Sequence, residues 1–528
     1  MSGFAWFDGL VAHLTNAQPA ATVTIDDSVL APARLLHIGA EYWAAIARAA
    51  AEAQCRHAGI WADPIADAFV VHACFARDGD YLVCVTRLPA ERPAFASHTR
   101  AFPGVSRMER RMQDLFGIRV LDHPDPRRWI RHRAWTDRDH PLRADFPRQG
   151  RPPIHTPADD DYPFLPVLGS GVYQIPVGPV HAGIIEPGHF RFHAVGEDVL
   201  QLEERLGYVH KGIEKIAVGR DADALARLAG RVSGDSTVAH AWAACQALER
   251  AVRVEVPPRA LGLRAILAER ERIANHLGDI GAICNDVGFS FAQMQFSRLR
   301  ENVLRLNREV FGHRLLMDRV VPGGVAIDLD AGQHAPLRQQ NAALAAELDV
   351  LLPILDDQPS LEDRLAAAGI LSRDDARQLG VVGYPGKASG IDYDARRDHR
   401  YAPYDQLTVR SPCLTDGDIA ARVEVRALEI RESLGLIDRL LDDLPGGALR
   451  AAWPKAIAGE GLGIVEGWRG EILSFVRLDD AGRVARFFPR DPSWFSWPAL
   501  ERLIHGNIVP DFPVCNKSIN GSYSGHDL

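Results

Sequence analysis

The sequence predicts an α+β fold, in which a small N-terminal α/β unit precedes a larger, mainly helical region with strand pairs near its ends. Three observations carry that expectation. Two apolar, strand-like runs, DAFVVHACFA (67–76) and YLVCVTRL (81–88), are joined across Asp78-Gly79-Asp80 in the manner of a hairpin. Apolar residues at helical spacing occupy most of 199–444. Strand text then returns at GIVEGWRGEILSFVRLD (463–479) and GRVARFFPRD (482–491). With 528 residues and 47% hydrophobic content, the chain can bury more than one core.

In chain order, the Ala-rich pattern at 41–59 predicts a helix ahead of the hairpin, and MERRMQDLFGI (108–118) predicts a second helix after it. From 123 to 164 proline, aspartate and arginine replace any apolar repeat, which predicts a linker or an extended arm packed on a partner. A strand is expected at GVYQIPVGPV (171–180). Helices are expected at 199–219, 236–252, 261–286, 296–312, 340–357, 360–369 and 421–444, with a glycine-rich loop after 369.

Sixty basic against 69 acidic side chains give a net charge of −9, which argues against non-specific nucleic-acid binding. The local basic run RRWIRHRAW (127–135) reads as a solvated or subunit-facing loop. The first twenty residues lack a basic segment ahead of a long apolar core, and no window approaches 18 uninterrupted apolar residues. Neither a signal peptide nor a spanning helix is therefore expected, although docking onto a membrane protein requires neither. The seven cysteines form no CxxC pair, which disfavours a simple four-cysteine metal site and fits a reducing cytoplasm. Cys74 and Cys84 read as core thiols.

The densest chemistry lies in GPVHAGIIEPGHFRFH (178–193), with His181, Glu186, His189, Arg191 and His193. Such a set can hold a metal, move a proton or bind a carbonyl, and it is equally compatible with a satisfied polar loop. Glu269, Arg272 and His276 are spaced to share a helix face and read as an internal salt-bridge stripe. Asp392, Asp394 and Arg396 read as loop-stabilising pairs. The glycines of GLGIVEGWRGE (461–471) do not form GxGxxG, and Arg469 on their turn either points into a cavity or lies exposed.

Two segments of the chain resemble two components of the respiratory complex I family joined in one polypeptide. MERRMQDLFGIRVLDHPDPRRW (108–129) resembles the signature of the 30-kDa subunit, the C component, in Glu109, Arg110, Asp114, Phe116, Gly117, His123, Pro124, Asp125, Arg127 and Arg128. It departs at Arg111, where Glu is usual, and at Pro126, where Leu is usual. From about 170 onward the chain resembles the 49-kDa subunit, the D component, and the large subunit of group 4 membrane-bound [NiFe]-hydrogenases. GPVHAGIIEPGHFRF and the fused layout are nearest the formate-hydrogenlyase type. YVHKGIEK (208–215), LAERERIANHLGD (267–279), GKASGIDYDAR (386–396) and GLGIVEGWRGE match as well. The resemblance implies a 30-kDa-like α/β domain at 1–135, an extended linker at 136–168 and a 49-kDa or large-subunit-like domain at 169–528.

In those hydrogenases, nickel and iron are held by four thiolates, two from CGxC early in the domain and two from CxxC at the end. RVSGDSTVAH (231–240) puts Ser233 and Ser236 at the first pair of positions, and INGSYSGHD (519–527) puts Ser522 and Gly525 at the second. Cys515 lies seven residues too early to replace a ligand. Hydroxyls ionise at great cost and glycine has no side chain, so neither a nickel–iron centre nor hydrogenase activity is expected. The tail is expected to plug the former metal cavity, its hydroxyls and amides hydrogen-bonding among themselves.

The complex I relative reduces quinone in the corresponding cavity with a histidine and a tyrosine. By that resemblance His181 and His189 would bind a quinone headgroup, Glu186 would transfer protons and Arg469 would stabilise charge. Gly234 stands at the tyrosine position, Tyr523 is a substitute from the tail, and Trp468 replaces the proline usual before Arg469. The implied protein is a peripheral component on the cytoplasmic face of the membrane. Its implied partners are an iron–sulfur protein like the B component of complex I, with a [4Fe–4S] cluster, a ferredoxin-like iron–sulfur protein, and antiporter-like and H-like membrane components. Electrons would pass from the partner's cluster to a quinone-like acceptor, coupled to ion translocation. A second reading is a non-catalytic scaffold that joins the iron–sulfur protein to the membrane arm. Loss of the thiolates and the clamp tyrosine favours the scaffold, whereas the retained His/Glu loop and Arg469 favour a working cavity.

Overall fold

Apolar strand sequence from 56 to 89 folds into an antiparallel meander of β3 (Arg56–Ile65), β4 (Ala68–Arg77) and β5 (Asp80–Pro89), extended by β1 (Thr24–Asp26) and β2 (Arg34–His37). The sheet order is β1-β2-β5-β4-β3, with only the β2–β5 pair parallel. In the β4–β5 turn Asp78 (φ 54°) and Gly79 (φ 86°) adopt the left-handed backbone that two-residue hairpins require. Helices α1 (Ala5–Ala17) and α2 (Trp43–Glu52) pack together, and α3 (Ser106–Phe116) follows a short β6 (Ala94–Ala96), which pairs with β7 (Arg119–Leu121). The helix expected at 41–59 stops at Glu52. Gln54 turns left-handed (φ 59°) and releases residues 56–65 to pair with β4. The computed structural model describes residues 5–17, 24–26, 30–133, 135–151, 161–181 and 185–528.

Much of the basic run at 127–135 packs against its own chain. Trp129 and Ile130 are buried, and the Trp129 ring has the guanidinium carbons of Arg107 and Arg110 at 4.7 and 4.9 Å from its centre. The Asp114 carboxylate accepts the backbone N–H groups of Trp129, Ile130 and Arg131. Arg127 pairs with Glu203 at 2.5 Å. The arm thus packs on its own chain.

Beyond the arm, β8 (Tyr173–Val177), β9 (His189–Val195) and β10 (Asp198–Arg205) form an antiparallel sheet in the order β10-β9-β8. Here the helix expected at 199–219 is overturned. Its first half pairs with β9 from Asp198↔Val195 to Arg205↔His189, burying Val199 and Leu202, and only α4 (Ile213–Ala217) is helical. Tertiary pairing overrides a helical pattern that Glu, Leu and Gln supply locally.

The helical body contains α5 (Ala222–Ala229), α6 (Thr237–Val252), α7 (Pro258–Asp286) and α8 (Ser290–Phe311). A two-residue ribbon of β11 (Val320–Val321) and β12 (Gly324–Val325) follows. Next come α9 (Ala331–Asp356), α10 (Pro359–Leu365), α11 (Arg373–Leu379), α12 (Gly383–Ala388), α13 (Ala395–Asp398) and α14 (Ile419–Asp442). A meander of β13 (Gly459–Gly467), β14 (Gly470–Leu478) and β15 (Val484–Arg490) then leads into α15 (Ser493–Leu503), α16 (Phe512–Ile519) and α17 (Tyr523–Asp527). Strand β13 lies directly on α6. A Cβ at Gly461 would sit 1.9 Å from the Ala247 carbonyl oxygen, and one at Gly463 1.9 Å from that of Ala243. Glycine at alternate strand positions thus meets alanine at every fourth helix position, and the backbones touch.

The two sheets meet along the edge strand β3. Arg486 and Arg490 of β15 donate Nε–H to the carbonyls of Ala62 and Ala58, at 2.8 and 2.9 Å, so the open edge is covered by side-chain donors. Arg477 forks Asp63 at 2.6 and 2.8 Å, and Arg56 reaches Glu471 at 2.5 Å.

Candidate functional site

Ser233, Ser236, Ser522 and Gly525, the four positions expected to correspond to thiolates, lie at a seam between the loop entering α6 and the tail. Ser233 Oγ donates to Asp235 Oδ1 at 2.7 Å and lies 2.8 Å from Ser522 Oγ. Ser522 caps α17 by accepting the Gly525 N–H at 2.9 Å, and its own N–H donates to Ser493 Oγ at 2.8 Å. The tail is fully enclosed, with Leu528 at 0% exposure and its carbonyl accepting the N–H groups of Lys211, Gly212 and Ile213. The seam is closed by hydroxyls and amides, as expected from the sequence.

Arg469 closes the second side. The sharp β13–β14 turn, with Gly470 at φ 129°, aims its guanidinium at the α6 loop. It forks the Asp235 carboxylate with two contacts of 2.7 Å and donates Nε–H to the Asn520 carbonyl at 2.7 Å. One nitrogen is also 3.3 Å from Ser236 Oγ. Burial pushes the Asp235 carboxyl up, but the Arg469 charge and the hydrogen bonds from Arg469 and Ser233 together more than offset it and leave it below the ordinary carboxylate range. Trp468, in the proline's place, puts its ring under the guanidinium at 4.0 Å and donates its indole N–H to the Asp235 carbonyl at 2.9 Å. Arg469 is therefore turned inward and paired.

Behind the seam, His240 donates Nε2–H to Asp491 at 2.8 Å, and Asp491 also accepts the Ser493 N–H. Burial opposes ionisation of Asp491 and is the largest single influence, but His240, Arg469 and Ser493 together outweigh it and hold the carboxyl well below its usual range. A Cβ on Gly525 would sit 2.7 Å from Asp491 Cγ. The residues present thus do not fit a nickel–iron centre, because the convergent donors are hydroxyls rather than soft thiolates and the fourth position has no room for a side chain. Cys515 lies elsewhere on α16, near Gly369, with its thiol pushed up to about 12 by burial. Among the described residues no group of three or more His, Cys, Asp or Glu is arranged to hold a metal ion.

Residues 178–181 and 185–189 supply the third side. Exposed Glu186 accepts the Ser524 N–H at 3.0 Å, which ties the loop to the tail. Gly178 and Gly188 bring the other predicted residues together. A Cβ on Gly178 would lie 3.0 Å from His181 Cδ2 and 2.1 Å from the Gly188 carbonyl, and one on Gly188 2.6 Å from Tyr523 Cε1. His189 is occupied. Its Nδ1–H donates to the Gly178 carbonyl at 3.0 Å, Nε2 accepts from Arg191 at 3.3 Å, and burial keeps the ring neutral by lowering its pKa. His181 is not, for both its ring nitrogens are buried without a hydrogen-bond partner among the described residues. The Tyr523 hydroxyl is also buried without a bond of ordinary geometry, and desolvation raises its pKa although the Asn516 side chain draws it partly back.

His181, Glu186 and Tyr523 thus gather at one rim, Arg469 lies across the serine seam, and His189 sits behind the loop. Sequence reasoning missed Asp235, His240 and Asp491. The first two were in plain view within RVSGDSTVAH, where an aspartate between two serines is the signal that a cation must lie opposite.

A 30-kDa signature on an α/β unit, docked on a helical body that ends in a hydroxyl-filled seam, defines a fused complex I-type large subunit. Residues 36–152 match the family described as respiratory-chain NADH dehydrogenase, 30 Kd subunit. Residues 286–458 match the 49 Kd subunit of the same enzyme, and 211–278 match nickel-dependent hydrogenase. The chain is 33% identical over 444 residues to formate hydrogenlyase subunit 5 of Escherichia coli (strain K12), covering 83% of this chain and 78% of that protein. It is 30% identical over 399 residues to the fused C/D component of the NADH-quinone oxidoreductase of Phocaeicola vulgatus, covering 72% and 76%. A chain of the membrane-bound sulfane sulfur reductase, an archaeal respiratory membrane complex, superimposes with a TM-score of 0.64 at 26% identity, over 69% of this chain and 100% of that one. This chain belongs to the family of fused 30-kDa/49-kDa complex I-type subunits that includes these oxidoreductase and hydrogenlyase proteins.

Proposed function

We propose that the chain is the large peripheral component of a membrane-bound respiratory oxidoreductase, and that it reduces a small quinone-like acceptor at the rim of the serine seam instead of handling hydrogen. In this reading, 1–135 is the 30-kDa-like domain, 136–168 the linker and 169–528 the 49-kDa-like domain. A partner like the B component of complex I would supply electrons from a [4Fe–4S] cluster, and a ferredoxin-like iron–sulfur protein would feed that cluster. Antiporter-like and H-like components would form the membrane arm, with this chain on its cytoplasmic face. Among the described residues no helix is long and apolar enough to cross a membrane.

One observation carries the acceptor site. His181 has two buried, unpartnered ring nitrogens at the same loop that presents the unpartnered Tyr523 hydroxyl, and a carbonyl headgroup satisfies both kinds of donor. Glu186 is exposed and tied to the tail, which suits proton transfer from solvent. His189 orients the loop. Arg469 acts on acceptor charge through its paired field rather than as a free cation.

The test is cluster reoxidation followed by electron paramagnetic resonance in the anaerobically purified, reduced complex. Fast reoxidation by a quinone analogue, lost in an assembled His181→Ala complex, supports the reading; a sulfane-sulfur compound in the same assay tests the chemistry of the structural neighbour. The scaffold is the second reading, favoured by the closed Ser233–Ser522 seam. It stands if the native complex keeps its electrons whatever acceptor is added.

A further inference from the structure

Behind the Trp468–Arg469 turn, four carboxylates and three permanent cations are packed together. Glu269, Asp394, Glu429, Glu466, Arg272, Lys387 and Arg396 are each at most 1% exposed. Three of the carboxylates are fully engaged. Lys387 Nζ meets Asp394 at 2.6 Å and Glu429 at 2.7 Å, and Arg396 meets Asp394 at 2.7 Å and Glu269 at 2.9 Å. Arg272 lies 3.3 Å from Glu269 and 3.4 Å from Glu429, and the Ser433 hydroxyl donates to Glu269 at 2.6 Å.

Glu466 differs. Its Oε2 accepts the Ala395 N–H at 3.0 Å, while its Oε1 has no hydrogen-bond partner among the described residues. Lys387, its nearest cation, is 4.0 Å away and already shared by two carboxylates. Across the β13–β14 hairpin it is paired with Glu471, whose charge is held by Arg56 and Arg490. Arg490 also spends donors on the carbonyls of Ala58 and Glu471. The remaining neighbours add no cation. Burial keeps His276 neutral against Glu429, and burial likewise keeps the phenols of Tyr393 and Tyr401 protonated.

Within this contact set Asp394, Glu429 and Glu269 balance Lys387, Arg396 and Arg272. An ionised Glu466 would be a buried carboxylate with a bare oxygen, which costs more than taking up a proton. Desolvation, with the Asp394 charge added, raises the Glu466 carboxyl to about 8 against the pull of Lys387, Arg272 and Arg396.

We propose that Glu466 is a proton store for the acceptor site, holding one exchangeable proton at neutral pH behind the Arg469 turn. Arg272 donates to the carbonyls of both Glu466 and Gly467, and His276 meets the Trp468 ring edge-on at 5.9 Å. The store is thereby fixed to the turn that carries Arg469. Two-electron reduction of a quinone to a quinol consumes two protons. The electrons come from the partner's cluster, Glu466 supplies one proton and Glu186 passes the other from solvent. Only this use rests on the redox reading; the presence of the proton does not.

Infrared spectroscopy of the full chain carrying carboxyl-13C glutamate, compared in H2O and D2O, tests it. Glu466→Gln loses one protonated glutamic-acid C=O band relative to the wild type at neutral pH. Lys387→Met gains one, because removing a cation draws a second proton into the cluster. Glu466→Asp keeps a carboxylic-acid band but frees it from the glutamate label. An unchanged spectrum in folded Glu466→Gln overturns the proposal, and so does an unchanged label shift in Glu466→Asp should the glutamine variant not fold. If the band is lost as expected while the reduced clusters ignore every acceptor, the stored proton stands and the redox reading falls.

Discussion

Gly525 shows how completely packing can deny one position a side chain. Its Cα faces Asp491, so Gly525→Cys forces a Cβ to within 2.7 Å of the Asp491 carboxyl carbon. We expect that variant to lose about 1–3 kcal/mol of stability without gaining a metal, measured as a lower urea midpoint with no bound nickel. Asp491 itself ties stability to pH. Its folded pKa is depressed, so its contribution is full above the unfolded value of about 3.9 and is lost as pH falls through the lower folded value. Asp491→Asn should therefore be less stable at pH 7, by about 3–5 kcal/mol for a broken buried pair, and the gap should narrow steadily below about pH 4. A gap that stays constant through acid titration would show that Asp491 is not ionised. At this scale the sequence shows that Ser233, Ser236, Ser522 and Gly525 carry no thiol. It could not rank His181 above His189, because that depends on which ring nitrogens find partners once Gly178 and Gly188 close the loop.

Most long helices follow from apolar spacing, and α6, α7 and α14 fall within a few residues of their expected spans. The element-scale failures share a cause. Residues 198–205 contain good helix formers yet pair as β10, because β9 offers an edge and burial for Val199 and Leu202. Residues 56–59, the end of the Ala-rich run expected to be helical, are likewise captured by β4 as the start of β3. Backbone contact, rather than propensity, also decides how β13 sits on α6. Gly461→Ala would place a methyl 1.9 Å from the Ala247 carbonyl oxygen, with rigid backbone on both sides. We expect a loss of about 3 kcal/mol in chemical unfolding, at the upper end for overpacking, whereas Gly435→Ala on α14, where a methyl meets nothing within 4 Å, should be neutral or mildly stabilising.

For the whole molecule, the two halves are fused in structure as well as in sequence. Glu471 on β14 is fully buried and holds Arg56 and Arg490, while the Tyr81 hydroxyl from β5 donates to it at 2.5 Å. We expect one cooperative calorimetric transition in the wild type. Glu471→Gln should cost about 3–5 kcal/mol by leaving buried guanidinium charge unpaired, and it should split the transition if the N-terminal sheet then melts first. The family, the fused order of the two segments and the principal helices are legible in the chain alone. All of these are local in the chain or carried by short motifs. Folding in three dimensions brings Ser233 to Ser522 across 289 positions and locks Arg469 to Asp235 across 234. It alone left Glu466 without a cation of its own. Partners for buried polar groups are chosen by chain segments that approach only on folding, and no local spacing records that choice.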